Sequence, residues 1–235
     1  NEPVTSTSLY AQFKVMELAK SNVVVVLDGQ GADELLAGYH YFFGIYFREL
    51  LGKLKLFKLS SEMCKYVINH KEIYGLKTFL YFMLPSFLKT KARVMEKGFL
   101  SKDFQKKCAD DNVIVDILYD SKNIYEALIN HFEYKLEHLL KWEDRNSMWF
   151  SLEARIPFLD YRLVESALSM DSSYKIRNGM TKYLLRESVK NLIPEKIRLR
   201  TDKIGFNTPE DDWFHTEKFA ALINDQSGHP ATLRS

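Results

Sequence analysis

The sequence predicts an α/β chain that is mostly α-helical and holds only one or two strands. Two observations predict it. An amphipathic stretch at 8–20 runs into Val23-Val24-Val25-Val26-Leu27, a short apolar run rich in β-branched residues. Helical spacing of apolar residues then governs most of the chain beyond residue 32, above all over 45–102 and 123–150.

Each element arises from its local pattern. Residues 8–20 place Leu9, Phe13, Met16, Leu18 and Ala19 at helical spacing. A run as short and branched as 23–27 is expected to be a buried strand of a parallel sheet covered on both faces. A helix feeding such a strand is half of a β-α-β unit. Asp28-Gly29-Gln30-Gly31 breaks the strand. A helix is predicted from about Ala32-Asp33-Glu34, with acidic groups in the first turn, where the helix dipole favours them. Inside 45–102, Gly75 and Pro85 mark expected breaks between short helices. A long helix is expected over 123–150, with Ile129, Phe132, Leu136, Leu139 and Leu140 on one side. Pro157 ends the next segment. Further helices are expected at 160–169 and 180–192, and Pro194, Gly205 and Pro209 punctuate a looping stretch.

Composition narrows the function classes. Of 235 residues 46% are hydrophobic and 27% charged, enough for a buried core in an ordinary globular chain. The net charge of +2 does not point to nucleic acid. Charge is unevenly spread: 45–102 carries twelve Lys or Arg against four Asp or Glu, a local +8, so the remainder carries −6. The most apolar run, Thr78 to Leu88, has 11 residues and is too short to span a bilayer. Cys64 and Cys108 lie far apart without a C-x-x-C partner, which excludes a cysteine zinc site and argues against a disulfide framework. A reducing, cytoplasmic setting is expected. The six histidines are scattered; His131 and His138 roughly share a helix face but lack a carboxylate pattern, and no zinc site is expected. No signal peptide is visible, and the opening Asn1-Glu2-Pro3 reads as the middle of a longer protein.

The strongest chemical signal is Leu27-Asp28-Gly29-Gln30-Gly31-Ala32-Asp33-Glu34. Ligands of open α/β sheets bind at the carboxyl ends of strands, where this loop sits. Its glycines permit close backbone approach, and the helix after it offers unpaired N–H groups to an anion. Asp33 and Glu34 would repel a bare phosphate. Mg²⁺ between carboxylate and phosphate oxygens removes the conflict, so the loop suggests magnesium-nucleotide or magnesium-pyrophosphate handling. It is neither G-x-G-x-x-G nor a P-loop nor an EF-hand. A tight turn before a capped helix is the plain alternative.

The loop continues through Leu35-Leu36-Ala37-Gly38-Tyr39 and resembles the pyrophosphate loop of glutamine-hydrolysing asparagine synthetases. Four further elements resemble that family in order. They are Glu2-Pro3 with Ser8, Asp144-Arg145-Asn146-Ser147-Met148 leading to Glu153-Ala154-Arg155-Ile156-Pro157-Phe158-Leu159-Asp160, Lys182-Tyr183-Leu184-Leu185-Arg186, and Lys203-Ile204-Gly205-Phe206 with Trp213. Matches are dense over 1–44 and 136–214 and absent from roughly 45–130.

The resemblance implies the C-terminal part of an adenine-nucleotide α-hydrolase-like synthetase domain, of the PP-loop ATP pyrophosphatase kind. It divides into the end of the α/β core at 1–44, a helical insertion at 45–130 and a helical C-terminal part at 131–235. It implies activation of the aspartate side-chain carboxylate by ATP with Mg²⁺, release of pyrophosphate, and attack by ammonia from a glutaminase domain outside these residues. Asp33 would hold Mg²⁺ and pyrophosphate, with Asp28, Gly31 and Glu34 in the same nucleotide-binding loop. The Gly29 backbone would lie near the ribose, and Tyr39 and Lys182 would line the adenylate pocket. Lys203 would sit in a loop able to close over substrate, or be a surface lysine. Some family members carry Glu at the position of Gln30, where a carboxylate can take a proton from the attacking amine. The Gln30 amide cannot, so another group or water must. An S-G-G-x-D-S phosphate loop occurs nowhere here, and neither cysteine stands near the start, so these residues alone are expected neither to hydrolyse glutamine nor to make asparagine.

The bottom-up chemistry runs parallel. Lys182, Arg186 and Lys190 at i, i+4, i+8 would share one helix face, with Lys190 solvated and Lys182 functional. Glu153 and Arg155 read as a buried ion pair holding the Pro157 loop. Neither a nucleic acid nor a membrane partner is expected, while the unpaired edges of the 23–27 strand leave homodimerisation open. The alternatives are a β-lactam-synthetase-like or other carboxylate amidotransferase, or a basic helical module in 45–102 that docks on a membrane or nucleic acid.

Overall fold

In the computed structural model the described residues are 7–85, 88–89, 101, 103, 117–119, 121–202 and 208–217. Helix α1 spans Ser8–Lys20, and strand β1, Val25–Leu27, comes after it. Helices α2 (Ala32–Leu35), α3 (Phe42–Gly52), α4 (Leu56–His70) and α5 (Tyr74–Met83) come next. Then comes a long rod: α6 (Ile124–His131), a π-helical turn (Phe132–Leu136) and α7 (Glu137–Trp149). Strand β2 is Glu153–Arg155, then α8 (Tyr161–Ser169), α9 (Ser172–Lys175), α10 (Tyr183–Ser188), α11 (Glu195–Arg198) and α12 (Glu210–Phe214). The helical content with a small sheet matches the predicted class.

The core forms around α3. Its sequence is apolar on every side, and Phe42, Phe43, Ile45, Tyr46, Phe47 and Leu50 are all buried, as a helix surrounded by others requires. Helices α5 and α6 pack on it, closing a cluster that includes Tyr66, Phe82, Ile124 and Leu128. Gly44 lets α3 and α5 cross closely: a Cβ there would lie 2.6 Å from the Thr78 backbone carbon. Two buried carboxylates clip this core to the 172–179 segment. Glu49 accepts from Ile124 N at 2.9 Å and from the Ser172 hydroxyl at 2.8 Å. Glu62 accepts from Asn178 N and Gly179 N.

Several expectations change. The strand is parallel as expected, pairing Val25 with Glu153, Val26 with Ala154 and Leu27 with Arg155. It is not covered on both faces: Val24 is 70% and Leu27 74% exposed. Only one partner strand is present among the described residues, and no helix among them closes over these side chains. Gly75 lies inside α5 rather than at a break; the chain breaks at Lys71–Ile73. The glycine is needed because a Cβ would crowd the Tyr66 ring. The rod at 124–149 buries Ile124, Ala127, Leu128 and His131, then Leu136. The step from 131 to 136 is five residues, which the π turn supplies and a 3.6-residue period does not. Ile129, Phe132, Leu139 and Leu140 are consequently only half-buried. No helix among the described residues is long and apolar enough to cross a membrane.

Candidate active site

The predicted loop leaves the carboxyl end of β1 beside β2. The Asp28 N–H completes the ladder by donating to Arg155 O at 2.9 Å, and the Asp28 carboxylate folds back to accept from Gln30 N at 2.9 Å. That Asx-type turn lets the chain reverse within four residues. Gly31 takes φ 86°, a left-handed conformation that a β-carbon disfavours, and a Cβ there would strike Leu159. Gly29 stands in open space.

Two arrangements leave this loop in different directions. In the first, α2 carries Asp33 to an ion pair with Lys182, Oδ1 to Nζ 2.7 Å. Lys182 is brought there by a bond from its N–H to Leu36 O and by a left-handed backbone, φ 53°. Gly38 makes the pair possible, since a Cβ on it would overlap the Asp33 carboxylate and Lys182 Cε. The pair lies in a cavity of about 390 Å³ that Arg186, Arg198 and Arg200 also line. Four cations line the hollow against two acids, Asp33 and Asp202, the latter paired with Arg200 at 2.7 Å, so the lining keeps a net positive charge suited to a polyanion.

In the second arrangement, Glu143 of α7 reaches the underside of the loop. It is 1% exposed. Its Oε2 accepts from Gln12 Nε2, whose orientation is fixed because Gln12 Oε1 accepts from Asn146 Nδ2 at 2.8 Å. The Gln30 side chain donates to Glu143, while Glu143 Oε1 is buried and receives no hydrogen bond. Burial, and then the neighbouring Asp28 charge, hold the Glu143 carboxyl well above the usual carboxylate range.

The remaining expected residues fall around these two centres. Glu34 is buried and accepts from the Tyr39 hydroxyl. Burial and Glu34 together push the Tyr39 phenol up. Tyr39 stacks on Tyr41 at 5.4 Å and is capped by Lys135, whose Nζ lies 3.4 Å from the ring centre. It does not line the Asp33–Lys182 cavity. Lys203 lies outside the described residues. Helix α10 spans only Tyr183–Ser188, so Lys182, Arg186 and Lys190 do not share a helix face as expected: Lys182 precedes the helix and Lys190 comes after it, exposed. Glu153 and Arg155 pair at 2.7 Å, but both are more than half exposed, so the pair is no buried scaffold and adds little stability.

Sequence reasoning missed Glu143, Gly38, Arg198 and Arg200. The signal for Glu143 was an acid between Trp142 and Asp144 on a face otherwise turned inward. Histidines expected to be scattered also meet: the His40 and His70 rings are 4.9 Å apart, and Glu72 accepts from His40 and from Tyr66 at 3.0 Å. His70 bonds Gly179 O at 2.9 Å, so this network ties α4 to the turn ahead of Lys182.

The family model described as asparagine synthase matches residues 1–232. A Bacillus subtilis protein named asparagine synthetase [glutamine-hydrolyzing] 1 is 28% identical over 92% of this chain and 36% of its own length. A putative asparagine synthetase [glutamine-hydrolyzing] of Mycobacterium tuberculosis is 27% identical over 97% of this chain and 37% of its own length. The human asparagine synthetase [glutamine-hydrolyzing] is 38% identical over 30% of the chain. The chain thus spans a little over a third of the length of the first two relatives. No solved structure matches it at a significant level.

Proposed function

The chain belongs to the asparagine synthase family, and from that premise we propose that it supplies part of an ATP-dependent site that activates a side-chain carboxylate and converts it to an amide. The observation that carries the reading is the Asp33–Lys182 pair in a cavity walled by three arginines. An acid beside a positioned lysine suits a magnesium–pyrophosphate group. Asp33 offers the hard oxygen that Mg²⁺ takes, while phosphate oxygens complete its shell. Bound Mg²⁺ would neutralise charge on the transferring phosphates.

This chain's own residues would do the rest. As substrate binds, Lys182 exchanges Asp33 for a phosphate oxygen and stabilises the charge that develops when the carboxylate attacks the α-phosphorus. Arg186, Arg198 and Arg200 hold the leaving pyrophosphate. Gly29, open to solvent, leaves the loop backbone free for the nucleotide. Asp28 and Gln30 order the loop at the strand end where the acyl-adenylate would lie. Aspartate is the carboxylate and ammonia the nucleophile, delivered from a glutaminase domain outside these residues. ATP is consumed as a substrate. The 235 residues alone, without an S-G-G-x-D-S loop, release no pyrophosphate.

The test is pyrophosphate release by the full-length gene product with ATP, Mg²⁺, aspartate and ammonia, for wild type and Asp33→Asn. Aspartate-dependent release that the substitution abolishes is expected. A folded wild-type protein that releases none with aspartate discards asparagine synthesis. A panel of other carboxylates, including β-lactam precursors, then decides among relatives of the reaction.

A further inference from the structure

Resting on the amide-forming reading above, we propose that Glu143 is the base that takes the proton from ammonia as it attacks the activated carboxyl. In the step, the ammonia nitrogen forms a bond to the acyl carbon and the acyl–oxygen bond to the adenylate breaks. AMP leaves with the bonding pair, and one N–H proton passes to the Glu143 carboxylate. Atoms and charge balance with no further reactant.

The geometry favours this group over its neighbours. Gln30, at the loop position where a carboxylate base would stand, has only an amide, which accepts no proton at neutral pH. Glu143 sits directly against it: the Gln30 side chain donates to Glu143. A glutamate that merely braced the loop would have both oxygens satisfied, as Glu49 and Glu62 do through backbone and hydroxyl donors. Glu143 has one oxygen held by Gln12 and one, Oε1, buried with no donor. Buried polar atoms without partners are uncommon, and a catalytic role is one of the causes that leave them so. Asp28 is a neighbouring acid, and its charge disfavours a second charge on Glu143.

Access is also present. Glu143 lines a cavity of about 280 Å³ bounded by Leu140, Met148, Ala154 and Ile156. A water-sized reactant needs about 30 Å³, so the hollow has room for ammonia. The charged groups around Glu143 are Asp28 from the β1 loop, Asp144 from its own helix and Glu153 from β2. All are acidic, and none of the described residues around that cavity is basic. Burial, and then Asp28, hold the carboxyl nearer neutrality, where a general base is most effective.

The experiment uses the full-length gene product and reads three rates: aspartate-dependent pyrophosphate release, amide formation from ammonia, and hydroxamate formation from hydroxylamine, whose nitrogen sheds its proton more readily. In Glu143→Gln, amide formation from ammonia is expected to fall by about 100-fold or more. Hydroxamate formation and pyrophosphate release fall far less, and the acid limb of the amide pH profile disappears. The double variant Gln30→Glu with Glu143→Gln, which returns a carboxylate to the loop, recovers amide formation at least about tenfold over Glu143→Gln. An unchanged ammonia rate and pH profile in Glu143→Gln overturns the inference alone. Equal loss of all three rates, or of folding, transfers the decision to the double variant. Recovery then supports the base role, and a folded double variant without amide formation overturns it. A wild-type protein without aspartate-dependent pyrophosphate release overturns the underlying reading and this inference together.

Discussion

Replacing Gly38 with alanine should separate stability from activity. Gly38 does not use the left-handed region, so alanine is conformationally acceptable there, and losing glycine's unfolded-state freedom is worth about 0.4–1 kcal/mol. The added methyl would overlap the Asp33 carboxylate and Lys182 Cε, both of which can swing toward the cavity. Their ion pair is about one quarter exposed at each partner, so its loss removes at most about 1 kcal/mol. The two terms nearly cancel, and Tm should move by only a few degrees. Catalysis has no such compensation. Displacing a positioned cation from a developing oxyanion costs about 2.7–4 kcal/mol, or roughly 100- to 1000-fold in rate. The assay is steady-state pyrophosphate release by full-length wild type and Gly38→Ala, with thermal unfolding on the same samples. A folded Gly38→Ala protein with the wild-type rate would refute the placement of phosphate chemistry at Asp33 and Lys182.

Other outcomes concern the core. His131 is fully buried, donates to Ala127 O and is held neutral, its pKa lowered to about 4 by burial. A lowered histidine contributes stability that is complete above its unfolded value of about 6.5 and is lost as pH falls toward 4, in all about 3 kcal/mol. Urea denaturation at about pH 7 and about pH 4.5 should therefore show a smaller acid loss in His131→Leu than in wild type; parallel losses contradict it. Gly179→Ala should lower stability by about 2 kcal/mol or more, because its φ of +65° is left-handed and a Cβ would meet the Lys65 and Tyr66 backbone at 2.5 Å. A Tm within a degree of wild type would count against that crossing. Tyr66→Phe should cost about 1–2 kcal/mol by freeing Glu72 and the Gly75 N–H, measurable by chemical denaturation.

The legible parts of this chain were those set by neighbours in sequence. Helix α1 begins and ends where Leu9, Phe13 and Met16 predicted, and the Asp28–Gly31 turn was visible because its glycines and the Asp28 side chain act within four residues. What stayed hidden depends on residues far apart. The exposure of Val24 and Leu27 could not be read from a run that looks like any buried strand. The buried face of the 124–149 rod shifted because one π turn adds a residue that periodicity does not show. Lys182 was found through its motif, yet its partner geometry rests on Gly38 and on a left-handed backbone. Glu143 stood unread because its significance arises from Asp28, Gln30 and Gln12, over a hundred residues away in the chain.

The register of the small sheet also sets an order of events. Val25 and Glu153 are paired across 128 residues. Closing a loop of that length costs about 2 kcal/mol more than closing one of about ten residues. Helices α3, α4 and α5, by contrast, meet within a span of 42 residues, from Phe42 to Met83. Local helical contacts form before distant strand pairs. The chain therefore assembles its aromatic core before it zips β1 to β2. During refolding, the amide of Asp28, bonded to Arg155, gains protection from hydrogen exchange after those of α3. The loop proposed to carry the chemistry is thus put in place after the aromatic core and released before it.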